Sequence, residues 1–97
     1  MTKNKDCIKI YYSFLKFKLK ANELLLFSLL YQECEHGAVY KKGLNYLSKR
    51  TNTAKNTVLR CLQVLIDKNL IIKKQGTGNQ PSEYRINHEC MAEYMKH

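Results

Sequence analysis

"LNYLSKRTNTAKNTVLRCLQVLIDKNLI", residues 44–71, changes character twice within 28 positions. It opens with Leu44 and Leu47 at helical spacing and Tyr46 beside them, which predicts a short helix. "TNTAKNT" then interrupts the apolar pattern with residues that turn and cap, and Thr53 or Asn52 is expected to cap a longer helix running to about Lys68. At about 100° per residue, Val58, Cys61, Leu62 and Leu65 of that helix form one apolar face, while Asn56, Arg60, Gln63 and Asp67 lie opposite. Leu59 and Ile66 fall just outside the apolar arc. They are expected to extend the core beneath the N-terminal segment, or otherwise to form half of a protein interface.

Downstream, "LIIKKQGTGNQPSEYRIN" reads as a hairpin: a strand from Leu70 to Lys74, a loop holding Gly76, Gly78 and Pro81, and a strand from Glu83 to Asn87. Upstream, "AVYKKG" is a short strand ending at Gly43. Before it, "ANELLLFSLLYQEC" places Leu24, Leu25, Phe27, Ser28, Leu29 and Tyr31 around most of a helical circumference, as suits a helix buried in the middle of a small domain. Asn22 is its expected N-cap and Gly37 its expected stop. "IKIYYSFLKFKLK" mixes apolar and basic residues with partial alternation, and its Ile, Tyr and Phe content favours an extended segment. The tail "HECMAEYMKH" is expected to form a short terminal helix. The division is an extended segment over 1–20, one domain over 21–87 and a tail over 88–97, within an α+β, mainly α class.

Ninety-seven residues, 44% of them hydrophobic, are enough for one modest core. Nowhere do 18 apolar residues run together, and "MTKNKDCIKI" lacks the apolar segment of a signal peptide, so the expected place is the cytoplasm, with no membrane partner. The net charge of +9 is unevenly spread. Residues 41–74 hold nine Lys and Arg against Asp67 alone, giving +8, whereas residues 21–36 hold three Glu and no Lys or Arg, giving −3. A solubilising surface intersperses both signs. Concentration of one sign in half of the chain points to a polyanionic partner.

The order of extended segment, helix, short strand, helix, tight turn, helix and hairpin resembles a winged helix-turn-helix domain, with a three-helix core and a small antiparallel sheet and wing. The resemblance rests on residues 44–86, in which "TVLRCLQVL" runs into "DKNLI" and a basic hairpin. Within that class the chain most resembles the N-terminal domains of plasmid and phage replication initiators or replisome organisers, whose first helix follows an aromatic segment much like "YYSFLKFKLKANE". It departs from them at Lys20, where a Ser or Thr cap is common. The resemblance implies sequence-preferring binding of double-stranded DNA by a recognition helix over 54–68 and a wing over 75–81. The role would be a transcription regulator or a replication-initiation protein of a mobile element, with no enzymatic activity and no cofactor expected.

In such a domain the N-terminal residues of the second helix reach base edges in the major groove. Asn56 has the amide geometry to pair with adenine and Arg60 the fork to pair with guanine, with Gln63 further along the same face. Lys55, Thr57, Thr51 and Thr53 suit phosphate oxygens, and Lys42 joins them from the charged run. Lys73, Lys74, Gln75, Asn79 and Gln80 belong on or beside the wing. A homodimer is expected, because two half-sites combine their contacts, and the N-terminal segment and the tail from His88 are its candidate surfaces. The competing function is a protein-binding adaptor or inhibitor on the same fold, using Leu59 and Ile66.

Other chemistry finds little support. Cys34-x-His36 and His88-x-Cys90 make a four-ligand set on paper, but a one-residue gap is shorter than zinc ligands usually keep, so no metal is expected. Cys7, Cys34, Cys61 and Cys90 form no C-x-x-C pair and read as small hydrophobic residues. There is no phosphate-cradling lysine loop, nucleophile elbow or carboxylate pair, and no catalytic residue is expected.

Overall fold

The computed structural model describes residues 7–96. Four α-helices, α1 (Ala21–Glu33), α2 (Leu44–Thr51), α3 (Lys55–Asp67) and α4 (His88–Met95), accompany two strands, β1 (Ile71–Lys74) and β2 (Glu83–Ile86). The strands pair antiparallel, with Ile71 opposite Ile86 and Lys74 opposite Glu83. The class is therefore α+β and mainly helical.

The centre is α1. Its five consecutive residues Leu26, Phe27, Ser28, Leu29 and Leu30 are all buried, which a helix shows only when neighbours cover every side. It touches α2, α3 and β2, and its Phe27 ring meets Phe14 and Phe17 from the N-terminal segment. That segment differs from expectation. Tyr12–Phe17 winds into a 3-10 helix instead of extending, and ends at Lys18 in the left-handed region. With three residues per turn, Phe14 and Phe17 eclipse on one side, and their rings stack at 5.7 Å over α1. The first six residues of the segment and His97 of the tail lie outside the described residues.

Several helix ends also differ from the sequence reading. The cap of α1 is Lys20, not Asn22, and Glu23 three positions on accepts from the Lys20 backbone amide at 2.9 Å. The acidic partner of a capping box thus operates without the hydroxyl. The helix stops at Glu33, and a 3-10 turn carries the chain through Gly37. Neither Thr53 nor Asn52 caps α3; Ala54 holds that position with no side-chain bond. Asn52 instead takes a left-handed conformation that ends α2, which asparagine tolerates better than most residues. Ser48 and Thr53 close the three-residue turn from both sides, through the Thr53 amide to the Ser48 carbonyl at 3.1 Å and the Ser48 hydroxyl to the Thr53 carbonyl.

The hairpin stands where turn chemistry placed it. Its loop lets residues 76 and 80–81 approach so closely that a Cβ on Gly76 would lie 2.1 Å from the Gln80 carbonyl oxygen, so this position requires glycine. The expected strand over "AVYKKG" reduces to one bridge, Tyr40 to Tyr84, with backbone bonds of 2.8 and 3.0 Å. Tyr40 is buried and its hydroxyl donates to the Gly43 carbonyl, so the bridge is anchored by its side chain as well. The tail forms α4, capped by Asn87, whose side chain accepts from the Cys90 amide at 3.2 Å. It is tied to the end of α3 by Tyr94, whose hydroxyl donates to the Lys68 carbonyl at 3.3 Å. No described helix is long and apolar enough to cross a membrane.

Candidate nucleic-acid interface

The inner face of α3 buries Val58, Cys61, Leu62 and Leu65, as its period requires. This leaves Lys55, Asn56, Leu59, Arg60, Gln63 and Asp67 as a continuous exposed stripe. Gln63 donates to Asp67 at 2.9 Å, one turn on, so the C-terminal end of the stripe satisfies itself. The N-terminal end does not. With Ala54 at the cap, the first amides of α3 have no side-chain acceptor, and Lys55 adds a positive charge to the positive end of the helix dipole. An anion is the natural complement of that end.

A groove runs from this end of α3 to the hairpin. It is lined by Leu44 and Asn45 at the start of α2, by Lys55 and Leu59 on α3, by Lys73 on β1 and by Gln80 to Ser82 in the loop. Three of the expected contact residues, Lys55, Lys73 and Gln80, thus meet in one place although 25 positions separate the first from the last. Asn45 and Ser82 are additions that the sequence reading missed. Their signal was slight, since a polar residue beside a helix start or in a loop is ordinary.

Other expected residues fall elsewhere. Thr51 is buried, and its hydroxyl donates to the Leu47 carbonyl at 2.7 Å while lying 2.6 Å from the Thr53 hydroxyl. Thr51 therefore works inside the turn and not at a phosphate. Thr53 and Thr57 are half-buried, and Gln75 and Asn79 are exposed around the loop. Lys74 lines a separate groove with Val39, Ile72 and Arg85, across the ladder from Glu83.

Lys42, in the loop before α2, is engaged by an acidic residue at the end of α1. Its ammonium lies 3.0 Å from Glu33 Oε1 and 4.5 Å from the centre of the Tyr46 ring, and the Tyr46 hydroxyl donates to Glu33 Oε2 at 2.6 Å. Burial alone would raise the Glu33 carboxyl, but the hydrogen bonds from Tyr46 and Lys42, with the charges of Lys42 and Arg50, outweigh it and hold the group below its ordinary value. The Tyr46 hydroxyl is pushed up, first by its bond to that carboxylate. A depressed carboxyl stabilises the fold above its unfolded value of 4.5, and the stabilisation disappears as pH falls through the lower folded value. Urea midpoints should consequently fall more steeply below pH 4.5 in the parent than in Glu33→Gln, and parallel acid limbs would show the cluster to be energetically idle.

The two Cys and His pairs do not converge. Cys34 Sγ donates to the Tyr84 carbonyl at 3.7 Å, while Cys90 Sγ donates to the Lys68 carbonyl at 3.6 Å. Among the described residues no three His, Cys, Asp or Glu side chains gather as a metal would need. Cys61 is buried on the inner face of α3, where burial pushes its thiol up and away from the reactive thiolate. Leu59 and Ile66 part company: Ile66 packs against the core, whereas Leu59 stays 48% exposed and does not extend it.

Comparison with protein-family models, characterised proteins and solved structures gave no match to this chain.

Proposed function

We propose that the chain is a winged helix-turn-helix domain that binds double-stranded DNA with a sequence preference, reading bases with α3 and holding the backbone with the β1–β2 hairpin as its wing. The observation that carries this reading is the single groove in which Lys55 at the start of α3 faces Lys73 and Gln80 of the hairpin. The order of α2, three-residue turn, α3 and hairpin supports it, as does the Tyr40 bridge in the place of a third strand. The basic run over 41–74 supplies the field that draws a polyanion, although Glu33 neutralises Lys42 within it. The biological role follows as transcription regulation or marking of a replication origin on a mobile element, since both use the same contacts. No catalytic step is assigned to any residue.

The test is a fluorescence-anisotropy titration against a randomised duplex pool and the sites selected from it, at about 50 and 200 mM salt. A selected site that binds more tightly than the pool, and more weakly at higher salt, supports the reading. Equal and weak binding of every duplex would sink it. The rival reading, a protein-binding adaptor, used Leu59 and Ile66 as one apolar patch. With Ile66 packed inward, Leu59 and Ile66 do not form the shared exposed patch on which that reading relied.

Two copies are proposed to act together. Ile10, Tyr11, Tyr12 and Leu15 are exposed apolar or aromatic side chains of the N-terminal segment, and Leu15 borders a groove with Lys16, Lys18, Glu93 and Tyr94 that carries both signs of charge. A twofold pairing can set such a face against its own copy. Light scattering of concentrated protein should give the mass of two chains, and the mass of one chain would remove this part of the proposal.

A further inference from the structure

Leu59 is the one side chain of the exposed α3 stripe without a polar group to offer, and its surroundings define what can cover it. On the helix it lies one turn from Lys55 and one turn from Gln63, next to Arg60. In space it shares a groove with Lys55, Lys73 and Gln80 and with the apolar Leu44 and Pro81, and among the described residues no Asp or Glu lines that groove. The occupant that complements both features is anionic as a whole and presents something apolar at Leu59. Ile66, which could have widened the apolar surface for a protein partner, is packed against the core. Duplex DNA meets both conditions, because its backbone is a polyanion and the only apolar group on its major-groove edges is the C5-methyl of thymine. An RNA duplex offers no such methyl, and its narrow major groove excludes side chains.

We infer that Leu59 is a specificity-determining residue that reads a thymine methyl in the major groove, between phosphates held by Lys55 and Lys73. The inference rests on the DNA-binding reading and adds to it a chemical identity for one base. Polar neighbours orient the helix by hydrogen bonds, and Leu59 selects by excluding water from a methyl group. A cytosine or a uracil at that position leaves the leucine facing polar atoms and solvent.

The experiment replaces each thymine of a pool-selected site in turn with deoxyuracil, which removes only the methyl group and keeps the pairing. Parent and Leu59→Ala are titrated against every such duplex. The parent should bind about fourfold more weakly when one particular thymine is replaced, the effect of leaving one methyl in water. Leu59→Ala should bind the thymine and deoxyuracil duplexes alike at that position. Leu59 is exposed, so the variant keeps its core, and the response of the parent alone is a readout that no folding defect can imitate. A selected site with no thymine whose replacement matters, or an effect that persists in Leu59→Ala, overturns the assignment of Leu59 while base reading by other residues stands. Failure of the pool to yield any preferred site overturns the DNA reading and this inference together.

Discussion

Phe17→Ala should cost about 3–5 kcal/mol of folding stability, enough to leave a domain of ordinary stability close to unfolding at room temperature. Phe17 is fully buried at the meeting of three elements. Its ring stacks on Phe14 at 5.7 Å, meets Phe27 of α1 edge-on at 5.4 Å and meets Tyr94 of α4 edge-on at 5.2 Å. Truncation removes the contacts of all three partners at once and leaves a cavity that a 3-10 turn pinned at both ends cannot collapse into. Phe17→Leu should cost much less, because it retains most of the volume. Urea unfolding followed by circular dichroism measures both variants. A loss below about 1 kcal/mol in Phe17→Ala would mean that the N-terminal segment is dispensable to the core.

Arg60→Ala should separate stability from recognition. The guanidinium is exposed on α3 and has no hydrogen bond or ion pair among the described residues, so its removal should leave the urea midpoint within about 0.5 kcal/mol of the parent. Alanine also keeps the helix, having the best intrinsic propensity. Against DNA the effect should be large. A bidentate pair to guanine contributes about 1–3 kcal/mol of discrimination, so preference for the selected site over the pool should fall roughly 5- to 150-fold, while binding to the bulk pool weakens only slightly. Loss of pool and site affinity in equal measure would make Arg60 a phosphate contact. No change in either would place base reading elsewhere on α3 or exclude it.

These two residues mark what could be read along the chain. Arg60 was legible because helix period alone sets Val58, Cys61, Leu62 and Leu65 to one side and therefore sets Asn56, Arg60 and Gln63 to the other. The burial of α1 was legible for the same reason, its apolar residues leaving no polar face to turn outward. The hairpin was legible through its glycines and the strands flanking them. Phe17 was misread as part of an extended segment because alternation and a three-residue repeat both fit "YSFLKF". The choice between them came from α1, whose Phe27 offers a surface to residues spaced by three.

What the sequence determined by itself was local and periodic: which faces of α1 and α3 are apolar, where the chain turns, and that positive charge gathers in residues 41–74. Those properties depend on neighbours within about one or two helical turns, and such neighbours are adjacent in the chain. Tertiary structure decided the rest. It turned Ile66 inward and left Leu59 exposed, neutralised Lys42 with Glu33 from the end of α1, buried Thr51 in the turn, and brought Lys55 to the same groove as Lys73 and Gln80. Each of these outcomes depends on which surface arrives from a distant part of the chain, and burial and Coulomb attraction act through space, without regard to sequence separation.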